Sequence, residues 1–420
     1  MKKHLFIMLS VIFLINSFFV PSAMAEEPKL NAKSAILVDM KNPMVLYEKN
    51  SNDEIQPSGF TKIVTALVVL ENCNDLTQVI TAPAETIARC DFSFGNMGIL
   101  GEENLSVESL LQGMLLYDAA EAAEVLAGFT FGNYVKFIAA MNEIAKKVGA
   151  ENTHFENAGG FFDEKQKTTV NDIALICQYA MKNDTFANIV NKGMAEIEPT
   201  NKYHERRYLA NTNMFVGKTR SLDFYTTNVF GVKTASMKGH GYGISVAFKN
   251  SKGSFLCVTA GNENSLSAHE DVQKLRKYVS EGFTNVKIAQ KGDIIEEVVV
   301  PNGRTSHVLL KAEDELSVRL PVDYDESKIF KWTEKNADLR APIEKDAVLG
   351  ALKISYDGKN VGSVNLIAYD SVEFSAGKSI KLFFGAIFTS PFFYIPLILF
   401  IAYFALSVYK ELKSRKIKSK

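Results

Sequence analysis

The spacing of apolar and polar residues divides the middle of the chain into short strands and helices. Residues 33–39 and 44–49 are extended stretches on either side of a turn, which predicts a β-hairpin. Apolar residues at helical spacing predict helices over residues 61–70, 107–126, 131–148, 169–182 and 272–283. Branched apolar runs predict further strands over residues 229–234, 243–249 and 254–260. Because strands bracket a helical middle, we predict an α+β domain over residues 26–284.

The pattern changes near residue 285, beyond which short alternating runs are separated by turn residues. These runs cover residues 294–300, 307–310, 316–320, 351–356 and 363–368. Pro301-Asn302-Gly303 is a typical turn between two of them. We therefore predict a small all-β, sandwich-like domain over residues 285–372, followed by a linker over residues 373–381.

The first residues have the pattern of a secretory signal peptide. Lys2 and Lys3 precede a short apolar run, and Ala23 and Ala25 are the two small residues that signal cleavage requires. We predict cleavage after Ala25, which removes residues 1–25 and leaves the following region outside the cytoplasm. An uncleaved anchor helix is the alternative.

The other end of the chain has the pattern of a membrane span. Residues 382–409 contain no charged side chain, and the segment is longer than the about 20 residues that cross a bilayer core. The tail at residues 410–420 carries six basic residues and one acidic residue, which by the positive-inside rule places it in the cytoplasm. We predict a single-pass protein of the cell membrane whose bulk is extracytoplasmic. A buried core helix is the alternative.

The charge distribution argues against a nucleic-acid-binding protein. The chain has 47 basic and 48 acidic residues, a formal net charge of −1. The first 25 residues contribute +2 and the last 11 contribute +5, so residues 26–409 carry −8. A mildly acidic exported region does not attract polyanions electrostatically, and the sequence has no nucleic-acid-binding motif.

Cysteine and histidine form no recognisable metal-binding pattern. The six histidines are scattered, and the chain lacks the CxxC and HExxH spacings. We therefore predict no metal and no other cofactor. Export permits disulfides, and four cysteines allow three full pairings, with unpaired buried thiols as the alternative. These residues are Cys73, Cys90, Cys177 and Cys257.

Several stretches resemble, in the same order, the serine-type D-alanyl-D-alanine carboxypeptidases, the low-molecular-weight penicillin-binding proteins of bacteria. They are residues 34–39 with 45–49, 152–155 with 157, 209–213, and 341–343 with 350. The order of signal peptide, first domain, β domain and membrane attachment is also similar to that of the family. The resemblance implies a β-lactamase-like transpeptidase fold, in which an antiparallel sheet packs with a helical subdomain. It also implies a role in peptidoglycan and cell-envelope biology.

The family's first motif, Ser-x-x-Lys, places a nucleophilic serine one helical turn before the lysine that takes its proton. Its counterpart here is Gly59-Phe60-Thr61-Lys62. The resemblance therefore puts Gly59 at the position of the nucleophile and Lys62 at the position of the base. Glycine has no side-chain oxygen, so the chemistry of this motif is lost although its lysine remains.

The second motif, Ser-x-Asn, supplies a proton relay and holds the substrate amide in the family. The pair Ala122-Ala123 fixes its register, which puts Asp118 in place of the serine and Ala120 in place of the asparagine. Alanine can perform neither task. In this fold Asp118 would lie close to Lys62, where a carboxylate raises the pKa of a lysine. We predict a structural salt bridge between the two.

The third motif, Lys-Thr-Gly, lies on a strand edge and binds the terminal carboxylate of the substrate in the family. Here it reads Lys233-Thr234-Ala235. The resemblance implies that Lys233 and Thr234 can still offer a cation and a hydroxyl to a substrate. The methyl group of Ala235 narrows the cleft beside them.

Ser58 is a candidate replacement for the missing serine. It precedes Lys62 by four residues, and residues at that spacing share one face of a helix. Its alternative role is the N-cap of the helix that begins after it, a position that serine favours. We predict the cap. Thr61 and Ser236 are weaker candidates for a nucleophile.

All three motifs are altered at the residues that perform the chemistry. Loss of the nucleophile alone removes most activity when catalytic groups act as a unit. We therefore predict a catalytically inactive homologue that binds peptidoglycan stem peptides or an envelope protein. The alternative is an active serine-type carboxypeptidase that removes the terminal D-alanine of stem peptides. It would use Ser58 and Lys62, with Lys233 holding the substrate carboxylate.

Overall fold

The structure is a computed structural model that describes residues 27–42, 44–92, 94–336, 339–377, 380 and 391–418. The predicted signal peptide lies outside the described residues, as do parts of the predicted linker and membrane span. The described residues form two compact units. The first comprises the chain up to Asn285 together with Arg319–Tyr324, and the second comprises Val286–Val318 and the chain from Asp325 onward.

The first unit combines strands with a group of helices. Its strands are β1 (Ser34–Asp39), β2 (Met44–Lys49), β3 (Val79–Ala82), β4 (Glu103–Ser106), β5 (Met194–Ile197), β6 (Arg207–Ala210), β7 (Val229–Met237), β8 (Gly241–Asn250) and β9 (Gly253–Asn262). Its helices are α1 (Thr61–Asn72), α2 (Ala84–Arg89), α3 (Val107–Leu116), α4 (Ala120–Thr130), α5 (Tyr134–Lys147), α6 (Val170–Ala180), α7 (Asp184–Val190) and α8 (Ser265–Gly282). A single 3-10 turn, Ser58–Phe60, leads into α1.

The main sheet of this unit is antiparallel and has the strand order β2-β1-β9-β8-β7. The predicted N-terminal hairpin is confirmed, because β1 pairs with β2 on one side and with β9 on the other. Strand β7 forms one edge of the sheet, pairs with β8 and packs against the 3-10 turn before α1. The α+β prediction is confirmed, and the sheet edge meets the helical part at the start of α1.

Helix α1 is the central helix of the unit. Its first nine residues are all buried, including Thr61 and Lys62. A helix that is apolar on nearly all sides is expected in the interior of a domain. It packs against α3, α4, α5 and α6, which places the polar groups of its first turn inside the protein.

The predicted single helix over residues 107–126 is wrong, because the chain forms two helices there. Helix α3 ends at Leu116 and α4 begins at Ala120. Between them Asp118 has a φ of 68°, in the left-handed region that a right-handed helix cannot contain. Aspartate tolerates this conformation better than most residues. No glycine or proline lies within three residues of Asp118, so the sequence does not mark the break.

The second unit is built from strands, as predicted. Five of them form an antiparallel sheet in the order β11-β12-β16-β15-β14. The strands from residue 283 onward are β10 (Phe283–Ala289), β11 (Ile294–Val299), β12 (His307–Ala312), β13 (Leu316–Pro321), β14 (Ile329–Lys335), β15 (Val348–Tyr356) and β16 (Lys359–Ala368). Of these, β10 and β13 have residues in both units.

The C-terminal helix, α9, spans Pro391–Lys418. Its segment Tyr394–Leu412 is 19 residues long and apolar enough to cross a bilayer. Among the helices that the structure describes, α9 alone combines that length with that composition. About 20 such residues match the hydrophobic thickness of a bilayer.

Candidate active site

Gly59 is packed tightly between strand β7 and the turn that joins α3 to α4. A Cβ atom built on Gly59 would lie 2.7 Å from the carbonyl oxygen of Thr234 and 2.9 Å from the Cα atom of Ala235. It would also lie 3.0 Å from the Oδ1 atom of Asp118. Two of these neighbours are backbone atoms, which cannot rotate away. A side chain at the position that the resemblance assigns to the nucleophile would therefore require the surrounding backbone to shift.

One carboxylate and two ammonium groups lie beside Gly59. The Oδ1 atom of Asp118 is 3.0 Å from Lys62 Nζ and 2.7 Å from Lys233 Nζ. The side chains of Lys62, Asp118 and Lys233 are 2%, 13% and 0% exposed. The predicted contact between Lys62 and Asp118 is confirmed. We did not predict the contact with Lys233, for which the retained lysine of the third motif was the available signal.

The buried position and the three charges determine how these groups titrate. Burial on its own raises the pKa of Asp118, but the positive charges of Lys233 and Lys62 outweigh it and hold that pKa below its ordinary value. Burial lowers the pKa of Lys233 to about 8, an effect that Asp118 opposes and Lys62 reinforces. One carboxylate neutralises only one of two ammonium groups. The network therefore depends on Asp118 remaining ionised.

Lys233 and Thr234 are occupied by contacts within the protein. Lys233 Nζ donates a second hydrogen bond, of 2.8 Å, to the carbonyl of Thr234. The hydroxyl of Thr234 lies 2.5 Å from the hydroxyl of Thr212. Since the side chain of Lys233 is fully buried, it cannot meet a substrate carboxylate unless the network opens.

The segment Asn211-Thr212-Asn213 holds the two sides of the site together. The N–H and the hydroxyl of Thr212 both donate to the carbonyl of Leu116, at 2.9 and 3.1 Å. Asn213 Nδ2 donates to the carbonyl of Gly231 at 2.9 Å. The segment thus connects the end of α3 to strand β7. The resemblance to the family had already pointed to this segment. In the structure its hydrogen bonds connect the two elements that carry Asp118 and Lys233.

Ala120 and Glu121 begin helix α4 beside the network. Ala120 is 2% exposed, and its N–H donates to the Gly95 carbonyl at 2.8 Å. Glu121 is 1% exposed and accepts the N–H groups of Met97 and Gly98 at 2.7 and 3.1 Å. Burial raises the pKa of Glu121. We did not predict its role, since the sequence shows only a glutamate in an alanine-rich helix.

The predicted N-cap role of Ser58 is wrong. Phe60 immediately precedes α1, and no side chain caps that helix. Ser58 has a φ of 49°, and its hydroxyl donates to the carbonyl of Ser236 at 2.6 Å. The additional 3-10 turn carries Ser58 away from the first N–H groups of α1. Its hydroxyl is directed at a carbonyl oxygen, which is too weak a base to activate it.

In the part of the chain that the structure describes, no group of three His, Cys, Asp or Glu side chains is arranged to hold a metal ion. The sequence left the pairing of the four cysteines open, and in the structure all four are free thiols. Burial raises the pKa of both Cys177 and Cys257 to about 12, so they are unreactive core residues.

Comparison with known families and proteins gives consistent matches along the chain. A family model described as D-alanyl-D-alanine carboxypeptidase matches residues 22–263, and one described as Penicillin-binding protein 5, C-terminal domain, matches residues 283–373. The D-alanyl-D-alanine carboxypeptidase DacF of Bacillus subtilis is 26% identical over 368 residues, which cover 86% of this chain and 92% of that protein. The carboxypeptidase DacC of Escherichia coli is 25% identical over 368 residues, which cover 84% and 89%.

Solved structures have the same fold. Penicillin-binding protein 5 from Haemophilus influenzae aligns with a TM-score of 0.68 at 23% identity, over 83% of this chain and 99% of that one. A peptidoglycan synthesis regulatory factor (PBP3) from Streptococcus pneumoniae aligns with a TM-score of 0.67 at 20% identity, over 82% and 100%. Since the carboxypeptidase family model covers more than half of the sequence, the chain belongs to the D-alanyl-D-alanine carboxypeptidase family of low-molecular-weight penicillin-binding proteins.

Proposed function

We propose that this chain is a family member that does not catalyse the carboxypeptidase reaction and acts in peptidoglycan metabolism by binding. The observation that carries the proposal is the packing at Gly59, where β7 occupies the space that a nucleophile would need. Lys62, the counterpart of the family's base, is paired with Asp118. The fold of the family is therefore retained around a site that has neither a nucleophile nor an available base.

Of the two binding roles, a protein partner fits this geometry better than a stem peptide. Lys233 and Thr234, which would hold the terminal carboxylate of a peptide, already have partners inside the protein. A peptide carboxylate would have to replace Asp118 beside two buried ammonium groups, and breaking a buried ion pair is strongly unfavourable. Binding through another surface requires no such rearrangement.

The full-length protein is expected to acquire no covalent label from a fluorescent penicillin. Acylation requires a nucleophilic oxygen next to a group that takes its proton. Gly59 has no such oxygen, and the hydroxyl of Ser58 donates a hydrogen bond to the Ser236 carbonyl. The measurement is in-gel fluorescence after denaturation, with penicillin-binding protein 5 from Haemophilus influenzae as the positive control for the reagent.

The matched variant for this test is Ser58→Ala. A label on the wild type that disappears in this variant would overturn the proposal and support the active alternative with Ser58 and Lys62. A label that remains in the variant would also overturn it, because another nucleophile would then have to be present. Only the absence of label in both proteins agrees with the proposal.

We also propose that α9 anchors the protein in the cell membrane, with its bulk outside and its basic tail in the cytoplasm. The largely apolar 19-residue segment Tyr394–Leu412 and the lysine-rich end support this. After an alkaline carbonate wash, the full-length chain is expected to sediment with membranes and a chain ending at residue 381 to remain soluble. Protease added to spheroplasts should digest the bulk of the full-length chain. Release of the full-length chain by the wash, or protection from the protease, would refute the anchor or its orientation.

A further inference from the structure

A groove of about 860 Å³ lies between strand β3 and helix α4, apart from the candidate active site. Residues 78–81, helix α2 and helix α4 all contribute to its lining. None of the groups around Gly59 described above, Lys62 and Lys233 included, lines it. Cavities of this size that combine apolar walls with a few polar groups are typical ligand sites.

Strand β3 presents an unpaired edge to this groove. Among the described strands, β3 pairs with β4 alone. The N–H of Val107 donates to the carbonyl of Gln78, and antiparallel partners exchange such bonds at alternate residues. The backbone groups of Gln78 and Ile80 therefore face β4, and those of Val79 and Thr81 face the groove. The lining fits this arrangement, since an edge contributes consecutive residues and a face only alternate ones.

The wall formed by α4 leaves room for side chains. A Cβ atom on Gly128 would meet nothing within 4 Å, and the same holds for Gly132 just beyond the helix. Val79 is 62% exposed on the opposite side. A strand placed beside β3 would have space on the α4 side for its alternate side chains and would cover apolar surface.

Glu124 gives the groove a preference for positive charge. Its carboxylate accepts hydrogen bonds from the N–H of Gly159, at 2.8 Å, and from the hydroxyl of Tyr134, both neutral donors. Glu124 has no ion pair with a lysine or arginine among the described residues, and neither has Glu85, which also lines the groove. Arg89 is the single cation in the lining. Burial raises the pKa of Glu124, an effect that its hydrogen bonds and the charge of Lys62 oppose in part, and a further cation placed against the carboxylate would stabilise its ionised form.

We propose that this groove binds an extended segment of a partner protein, which adds to β3 as a further strand and places a lysine or arginine side chain against Glu124. The backbone of Val79 and Thr81 supplies hydrogen bonds that any sequence can use, and the α4 wall selects side chains. Four residues of strand edge extend about 13 Å at roughly 3.3 Å per residue, which suits a short linear segment. The groove does not depend on the state of the Gly59 site, so a penicillin label would leave this proposal standing.

A library of random seven-residue peptides displayed on phage tests the proposal on the full-length protein in detergent micelles. The enriched peptides are expected to carry branched or aromatic residues at alternate positions and at least one basic residue. A synthetic copy of the most enriched peptide then provides a probe whose affinity is measured by fluorescence anisotropy. Failure of the selection to enrich any peptide over the background would overturn the proposal.

Three substitutions connect the measured affinity to the groove. Glu124→Gln keeps the shape of the side chain and removes its charge, and it is expected to weaken binding of the probe about tenfold. Thr81→Pro removes an N–H that faces the groove and makes no bond to β4, so a similar loss is expected. Gly128→Phe fills the groove and should abolish binding. Glu198→Gln makes the same change as Glu124→Gln at an exposed glutamate that does not line the groove, so it is the matched control and should leave affinity unchanged.

The outcomes against the proposal are equally definite. Equal affinity for wild type and Glu124→Gln would refute the charge preference, and equal affinity for Gly128→Phe would refute the location. Thermal melting shows whether each variant is folded. If Gly128→Phe does not fold, the affinities of Thr81→Pro and Glu124→Gln decide whether the probe binds in the groove, since neither substitution introduces bulk into the core.

Discussion

Replacing Asp118 by asparagine is expected to lower the free energy of unfolding of the carboxypeptidase-like domain by about 3–5 kcal/mol. This is the range for a buried ion pair that loses one partner. Asparagine keeps the shape of the side chain, but Lys62 and Lys233 would then lie beside a neutral amide with no compensating charge. Lys233 can relieve part of the repulsion by losing its proton, because its pKa is already lowered to about 8. That relief places the expected loss toward the lower end of the range.

Urea unfolding at neutral pH, followed by circular dichroism, measures this loss. Fluorescence of the single tryptophan is less suitable, because Trp332 belongs to the second unit. The matched control is Glu198→Gln, which removes a carboxylate 2.8 Å from Arg206 on the surface, where Glu198 is 70% exposed. Exposed pairs contribute less than about 1 kcal/mol. If Asp118→Asn unfolded at the same urea concentration as Glu198→Gln, the network would have no structural importance.

Restoring a serine at the nucleophile position is expected to destabilise the domain and to produce no activity. In Gly59→Ser the new Cβ atom would lie 2.7 Å from the Thr234 carbonyl, so β7 or the 3-10 turn must move. Overpacking of this kind costs typically about 1–3 kcal/mol. The φ of Gly59 is not in the left-handed region, so the expected loss comes from the contact and not from backbone strain. Urea unfolding and the fluorescent penicillin assay test the two parts.

Gly128→Ser is the matched control for that variant. It introduces the same side chain at a glycine whose Cβ would meet nothing within 4 Å. It is expected to be as stable as the wild type or slightly more stable, because glycine within a helix is unfavourable relative to residues with a side chain. A Gly59→Ser protein that is as stable as this control and reacts with penicillin would show that the cleft opens easily. The proposed loss of catalysis would then be due to the missing serine side chain alone.

Much of the fold followed from local patterns in the sequence. The N-terminal hairpin and the helix that begins at Thr61 were predicted because each has a clear apolar period that matches its final environment. The contact between Lys62 and Asp118 was also predictable, since the register of the family motifs places both in one cleft. In these cases, local preference and tertiary structure agree.

The features that escaped prediction are imposed by distant parts of the chain. The break between α3 and α4 lies between a leucine-rich and an alanine-rich run, both of which favour helix. Asp118 adopts its left-handed conformation where two lysines from other elements hold its carboxylate. Serine is a favoured N-cap residue, but the hydroxyl of Ser58 donates a hydrogen bond to the carbonyl of Ser236, which is far away in sequence. Patterns in the local sequence cannot identify contact partners that are distant in the chain. The unpaired edge of β3 is likewise visible only once the strand pairing is known.

The ion network also has a consequence for the order in which the domain folds. Its charges come from three distant segments, with Asp118 and Lys233 separated by 115 positions. Contacts of such long range form only after the intervening chain has been organised, and they contribute little before then. An interaction absent from the transition state affects the rate of unfolding and not that of folding. Asp118→Asn is therefore expected to unfold faster than the wild type and to refold at nearly the wild-type rate in stopped-flow experiments. The network would then slow the unfolding of the completed domain without speeding its folding.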